Sequence, residues 1–99
     1  MIFPEWQGKR IDLIKRAHRE MEDLGLDILN VLTVLEYGYD CPAAKRKRGT
    51  VERCLRRNNK VIRIVIKEGE FVYPDGYVEN IWWLIHVSIE TFKPERLKI

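Results

Sequence analysis

The spacing of apolar residues changes period part-way along this chain, and that change constrains the fold more than any single motif. Ile11, Ile14, Ala17, His18, Met21 and Leu24 recur at helical spacing, with Lys15, Arg16, Arg19, Glu20, Glu22 and Asp23 between them. This is the pattern of an amphipathic helix, and Gly25 is placed to end it as a left-handed cap. Asp27 can cap a second helix whose stripe is Ile28, Val31, Leu32 and Leu35, with Gly38 as its stop signal. The short connection through Gly25 and Leu26 predicts a helical hairpin.

After the loop at 39–49 the period becomes that of a strand. Residues 51–56 and 60–67 read as strands joined by Asn58-Asn59, a pair tolerant of positive φ, and residues 80–89 read as a further strand. Pro74-Asp75-Gly76, flanked by Phe71, Tyr73 and Tyr77, makes 68–79 either a loop or a hairpin extension, and Pro94 discourages pairing in the tail. The expected fold class is therefore α+β, an N-terminal helical hairpin packed on one face of a small antiparallel sheet. One domain is expected, with an arm at 1–9, the helical hairpin at 10–38, a basic loop at 39–49, the sheet at 50–90 and a tail at 91–99.

Ninety-nine residues, 45% of them hydrophobic, suffice for one real core and exclude a disordered chain. No apolar run approaches the ~20 residues of a membrane helix, and residues 1–6 lack the features of a signal peptide. A cytoplasmic protein with no membrane partner is expected. Cys41 and Cys54 have no second Cys or His at metal-ligand spacing, so two reduced, partly buried thiols are expected and no metal. One Ser, one Gln, eleven Ile and 33% charged residues lean toward a thermophilic source, where an intracellular disulfide is less improbable.

Strand parity assigns faces. Ile81, Trp83, Ile85, Val87 and Ile89 are uniformly apolar and are expected to meet the helices, leaving Trp82, Leu84, His86, Ser88 and Glu90 on the other side. Ile62, Ile64 and Ile66 form the core set of the preceding strand, which sends Val61, Arg63, Val65 and Lys67 to the open face. With Asn58-Asn59 as the turn, Leu55 pairs with Ile62 and Val51 with Ile66, and Cys54 and Arg56 fall beside Arg63. Arg53 is then directed at the core, so either it snorkels at an edge or a bulge flips the register there.

Charge is concentrated. Residues 45–63 hold nine basic residues against one acid, Glu52, a net of +8, while nine basic and fourteen acidic residues elsewhere leave −5. Such a field attracts a polyanion or an acidic protein. Lys45, Arg46, Lys47, Arg48, Arg56, Arg57, Arg63 and Lys67 supply cations and Trp82 a stacking plane, the combination that single-stranded RNA requires. Solvated charges that protect an edge strand are the alternative.

His86 is the best candidate proton carrier and Tyr39 a second, although a half-exposed structural His is the commoner outcome. His18 is expected on the apolar helix face. Tyr37 and Glu79 are placed to orient a phosphate or move a proton, or simply to pack and cap loops. No Gly-rich phosphate loop, nucleophile elbow or His-Glu metal motif is present, so no cofactor is expected.

The run AHREMEDLGLDILNVLTVLEYG followed by basic, β-rich sequence resembles a family of small domains related to the RelE and BrnT toxins. Ala17, Glu20-Met21, Gly25-Leu26 and Gly38 carry the resemblance, which covers most of 14–92. Where the family has a helix His the chain has Arg16, with His18 two residues further on, and Glu20 stands where the family usually has Arg. The resemblance implies a RelE-like fold and RNA cleavage by basic and Tyr side chains on the open sheet face. The resulting expectation is an RNA-binding protein with the character of a metal-independent endoribonuclease toxin. The alternative is a non-enzymatic interaction module that binds an acidic antitoxin-like partner or pairs with itself as a homodimer.

Overall fold

The computed structural model describes residues 4–42 and 48–91. Its first departure from expectation lies at the N-terminus. Strands β1 (Glu5–Trp6) and β2 (Lys9–Leu13) form a hairpin through Gln7 and Gly8, whose φ values of 51° and 76° suit a tight two-residue connection. Ile11 fits both periods, since Ile14 follows at helical spacing and Leu13 at strand spacing. Pairing with two neighbouring strands decides in favour of the strand, and helix α1 (Lys15–Leu24) begins only after it.

The helices otherwise start and stop where their caps dictate. Gly25 closes α1 in the left-handed region. Asp27 opens α2 (Ile28–Tyr37) with a capping box: its side chain accepts from the Asn30 backbone N–H while the Asn30 side chain accepts from that of Asp27. Gly38 follows α2 in an extended conformation, and a Cβ there would collide with the carbonyls of Val34 and Cys54. The helix end therefore lies directly on the sheet.

Strands β3 (Tyr39–Asp40), β4 (Thr50–Arg57), β5 (Lys60–Val72) and β6 (Val78–Thr91) complete one sheet of order β1-β2-β6-β5-β4-β3. Residues 68–79 are thus a hairpin extension and not a loop. β2 runs parallel to β6, with Ile11, Asp12 and Leu13 opposite Trp82, Trp83 and Leu84, while the other pairs are antiparallel. The sheet is mixed and curls into a half-barrel whose edge strands stand 14 Å apart. This corrects the expected α+β, RelE-like class with its small antiparallel sheet. The molecule is strand-dominated, because the N-terminal segment adds two strands and the β5–β6 hairpin is longer than its apolar signal.

A bulge in β6 sets which side chains are buried. Val65 faces His86, but the next residue, Ile66, faces Leu84, so Ile85 is the extra residue and parity inverts across it. Trp82 and Leu84 before the bulge therefore share a face with Val87 and Ile89 after it. Together with Ile11, Ile62, Ile64 and Ile66 they meet Ala17, Met21, Val31, Val34 and Leu35 from the helices. Trp82 is only 4% exposed, its indole N–H donates to the Trp6 carbonyl at 3.0 Å, and Lys9 Nζ lies 4.9 Å from its ring. Its expected place on the open face is corrected, and Trp83 stands there instead.

The β4–β5 register is the expected one, with Leu55 opposite Ile62 and Val51 opposite Ile66. Arg53 does face the helices, and it snorkels: its guanidinium donates to the Gly38 carbonyl at 2.6 Å and pairs with Asp40 at 3.3 Å. A cation at the C-terminal end of α2 also suits the helix dipole. Cys41 and Cys54 are joined as a disulfide with Cα atoms 5.3 Å apart, which corrects the expectation of two thiols. Pairing of Tyr39 with Cys54 and of Asp40 with Arg53 puts Cys41, two residues beyond Tyr39 and on the same side of the sheet, within bridging distance of Cys54.

Candidate nucleic-acid interface

Residues that face each other across neighbouring strands point to the same side of a sheet, so the face turned away from the helices can be read row by row. Arg56 lies opposite Val61, which lies opposite Glu90. The next row is Tyr39, Cys54, Arg63 and Ser88, followed by Glu52, Val65 and His86, and then by Thr50, Lys67, Trp83 and Asp12. Beyond Lys67 the row partners are Gly69 with Ile81, and Phe71 with Glu79. Arg56, Arg63 and Lys67 thus follow one another along one side, with Trp83 directly across from Lys67.

Gly69 explains how Trp83 is seated. A Cβ at Gly69 would run into the Cδ1–Nε1 edge of the Trp83 indole, so the ring fits there because the strand position opposite has no side chain. Its neighbour in the aromatic series is Phe71, with ring centres 6.3 Å apart; Tyr73 and Tyr77 continue the series toward the β5–β6 turn. Trp82, expected on this face, is buried on the other, and Trp83 occupies the position. A glycine inside an otherwise β-branched strand was the available signal for a large ring opposite.

The cations differ in how they are held. Arg57 and Lys67 are exposed. Arg56 is exposed and its Nε donates to the Asn58 carbonyl at 3.0 Å, within the turn. Arg63 is half-buried, and its Nε lies 3.8 Å from Glu90 Oε1, too long for a hydrogen bond. Arg48 is exposed just before β4, whereas Lys45, Arg46 and Lys47 lie outside the described residues.

His86 sits where β2 has ended and the edge of β6 is left to α1. Glu20 covers that edge: one carboxylate oxygen accepts the Val87 backbone N–H at 3.2 Å and the other lies 2.8 Å from His86 Nδ1. The Glu that departs from the resembled family's pattern is therefore the partner of the candidate His, a pairing that sequence spacing did not reveal. Tyr39 is exposed at 43% on edge strand β3. Three strand spacings separate its row position from Ser88, about 14 Å, so it does not converge with His86. His18, expected on the apolar face, is exposed and lies 3.3 Å from Glu22 on the same helix.

At the far end a second charged group surrounds Phe71. The Arg10 guanidinium carbon lies 5.1 Å from the Phe71 ring centre, with Nη1 3.2 Å from Asp12 and Nη2 3.2 Å from Glu79 Oε1. The Tyr73 hydroxyl donates to the same Glu79 oxygen at 2.7 Å. That hydrogen bond, aided by Arg10, holds the Glu79 carboxyl below its usual pKa, and the same bond raises the Tyr73 phenol above its own. Arg10 and its role were not legible in the sequence, because β2 itself was read as helix.

Comparisons with known protein families, with curated proteins and with solved structures find no match. Among the described residues no three His, Cys, Asp or Glu side chains are gathered as a metal ion would need, and no helix is long and apolar enough to cross a membrane.

Proposed function

We propose that this chain binds single-stranded RNA along the open face of its sheet. The observation that carries the reading is one face shared by Arg56, Arg63 and, past the row of Glu52, Val65 and His86, Lys67 with Trp83 across from it. Cations track phosphates, and an aromatic plane accepts a base of any sequence. The +8 segment adds long-range attraction to this geometry. The proposal rests on this face and not on the toxin resemblance.

Replacing Arg56 and Arg63 together with Gln tests it. Removal of two phosphate contacts should lower the slope of log K against log salt by about 1.4, taking ~0.7 per contact on a single strand. An unchanged slope in the double variant would sink the reading. Within it, His86 held by Glu20 is the group placed to move a proton. Incubation with a defined single-stranded RNA, comparing His86→Ala with the parent, separates an endoribonuclease from a binding protein. A cytoplasmic location in a thermophilic source is part of the proposal, and the Cys41–Cys54 bridge is compatible with it.

The outer side of α2 favours a second reading, an interaction module that associates with a protein partner or with itself. Leu29 and Tyr37 are 67% and 77% exposed, and with Leu32 and Thr33 they border a cleft whose charged members, Glu5 and Glu36, are both acidic. Mixing the protein with RNA at two salt concentrations distinguishes the two. Salt-sensitive retention supports RNA, and association independent of RNA supports the module.

A further inference from the structure

We propose that the cleft around Arg10 reads a guanine base of the bound RNA, an inference that rests on the RNA reading above. The cleft measures about 310 Å³ and is lined by Glu5, Arg10, Phe71, Tyr73 and Glu79. Its centre is a guanidinium already fixed in place. Phe71 lies beneath it, Asp12 holds one edge, and Glu79 takes both Nε and Nη2. A flat cation held in this way has little rotamer freedom left to lose when a base stacks on it, and guanidinium planes serve RNA-binding proteins as stacking surfaces beside aromatic rings.

The cleft is continuous with the proposed face. Phe71 is 6.3 Å from Trp83, and Trp83 lies across from Lys67, so an RNA strand following the cations reaches the cleft without leaving the face. Four residues separate Lys67 from Phe71 on β5, about 13 Å at the rise of a strand. The chemistry changes over that distance. Glu5, Asp12 and Glu79 outnumber Arg10, which disfavours phosphate and leaves the base as the part of the nucleotide that enters.

The polar lining then selects among bases. Carboxylates are acceptors only; Glu79 Oε1 is already committed to Arg10 and to the Tyr73 hydroxyl, so the exposed Glu5 carboxylate is the one left to take a two-donor edge. An entering base must bring N–H donors. Guanine presents two side by side on its Watson–Crick edge, N1–H and the 2-amino group. Adenine and cytosine place an amino group beside an acceptor nitrogen, and uracil has one N–H between two carbonyls. A carboxylate is complementary to the guanine edge alone among the four.

Fluorescence anisotropy with labelled U8, with the same octamer carrying one guanosine, and with inosine at that position tests the assignment at fixed salt. The single guanosine should tighten binding about tenfold or more over U8, the scale of one two-point base contact, and inosine, lacking the 2-amino group, should retain only part of that gain. Glu79→Gln, which loosens the Arg10 clamp, should weaken the preference, read as the ratio of guanosine-octamer affinity to U8 affinity for each variant. Glu5→Gln, outside the Arg10 clamp and exposed, is the second variant and should reduce the preference without affecting the fold. Equal binding of all three oligonucleotides by the parent overturns the guanine assignment while leaving RNA binding intact. So does a preference that survives both substitutions, or a loss that is equal for all three ligands. Failure of the parent to bind any of them removes the RNA reading itself and this inference with it.

Discussion

The two ends of the open face both carry arginine, and the arginines are held in opposite ways. Near the β4–β5 turn, the exposed Arg56 donates to a carbonyl of its own turn, and Arg63 stands 3.8 Å from the nearest oxygen of Glu90. Near the β5–β6 turn, Arg10 lies on a ring between two carboxylates, with a side-chain exposure of 15%. The difference teaches that a count of basic residues does not measure what a surface offers a ligand. A guanidinium clamped on a ring between two carboxylates has a fixed shape, whereas an exposed one in a turn adds mainly to the long-range field.

The largest expected effect tests which face each tryptophan serves. Trp82→Ala should cost about 3–5 kcal/mol of stability, because it empties a buried site, whereas Trp83→Ala should cost far less stability and weaken RNA binding by about 1–3 kcal/mol through lost stacking. Chemical denaturation and anisotropy on both variants check this, and a reversed pattern would show that the bulge at Ile85 is misplaced. Next in size is the disulfide. Reduction of Cys41–Cys54, which closes a loop with a sequence separation of 13, should lower stability by about 3 kcal/mol in a denaturant titration with and without reductant.

A smaller effect separates the two ends directly. The Arg56→Gln, Arg63→Gln pair should change salt dependence with little change in melting temperature, whereas Arg10→Gln should lower the melting temperature and leave the salt slope near that of the parent. If both variants shift the slope equally, the two ends are alike and the contrast fails. The smallest effect is a pH dependence. The folded Glu79 carboxyl sits below its unfolded pKa, so the folded state binds fewer protons there, and its contribution is complete above the ordinary carboxylate range and lost as pH falls through the lowered value. The Tyr73 phenol is raised, so its contribution holds below its ordinary pKa and is lost as pH rises through the raised value. Melting curves of the parent and Glu79→Gln should diverge near neutrality and converge in acid.

Much of the local structure was legible without coordinates, for identifiable reasons. The Asp27 cap, the Gly25 cap and the Asn58-Asn59 turn are short-range devices whose chemistry lies within a few residues, and the β4–β5 register follows from that turn and from the alternation of Ile62, Ile64 and Ile66. β6 was not legible in the same way. From Ile81 to Leu84 every residue is apolar, so either parity would bury a plausible set, and only contact with β2, β5 and α1 chooses between them. On the open face, the side taken by Arg56, Arg63 and Lys67 follows from parity alone, that of Trp83 does not, and the contacts of Glu20 with His86 and of Arg10 with Phe71 have no signature in spacing.

By itself, the sequence determined the caps, the turn between β4 and β5, and the strong separation of positive charge, since each depends on neighbours along the chain. The tertiary structure alone decided that β2 joins β6 in parallel, that a bulge inverts the parity of β6, and that Cys41 meets Cys54. Each of these depends on backbone hydrogen bonds or close approach between segments distant in sequence or separated by a loop. In such pairings a residue's face is set by the partner strand rather than by its own pattern, and for that reason the presence of Trp83, not Trp82, on the open face emerged only with the fold.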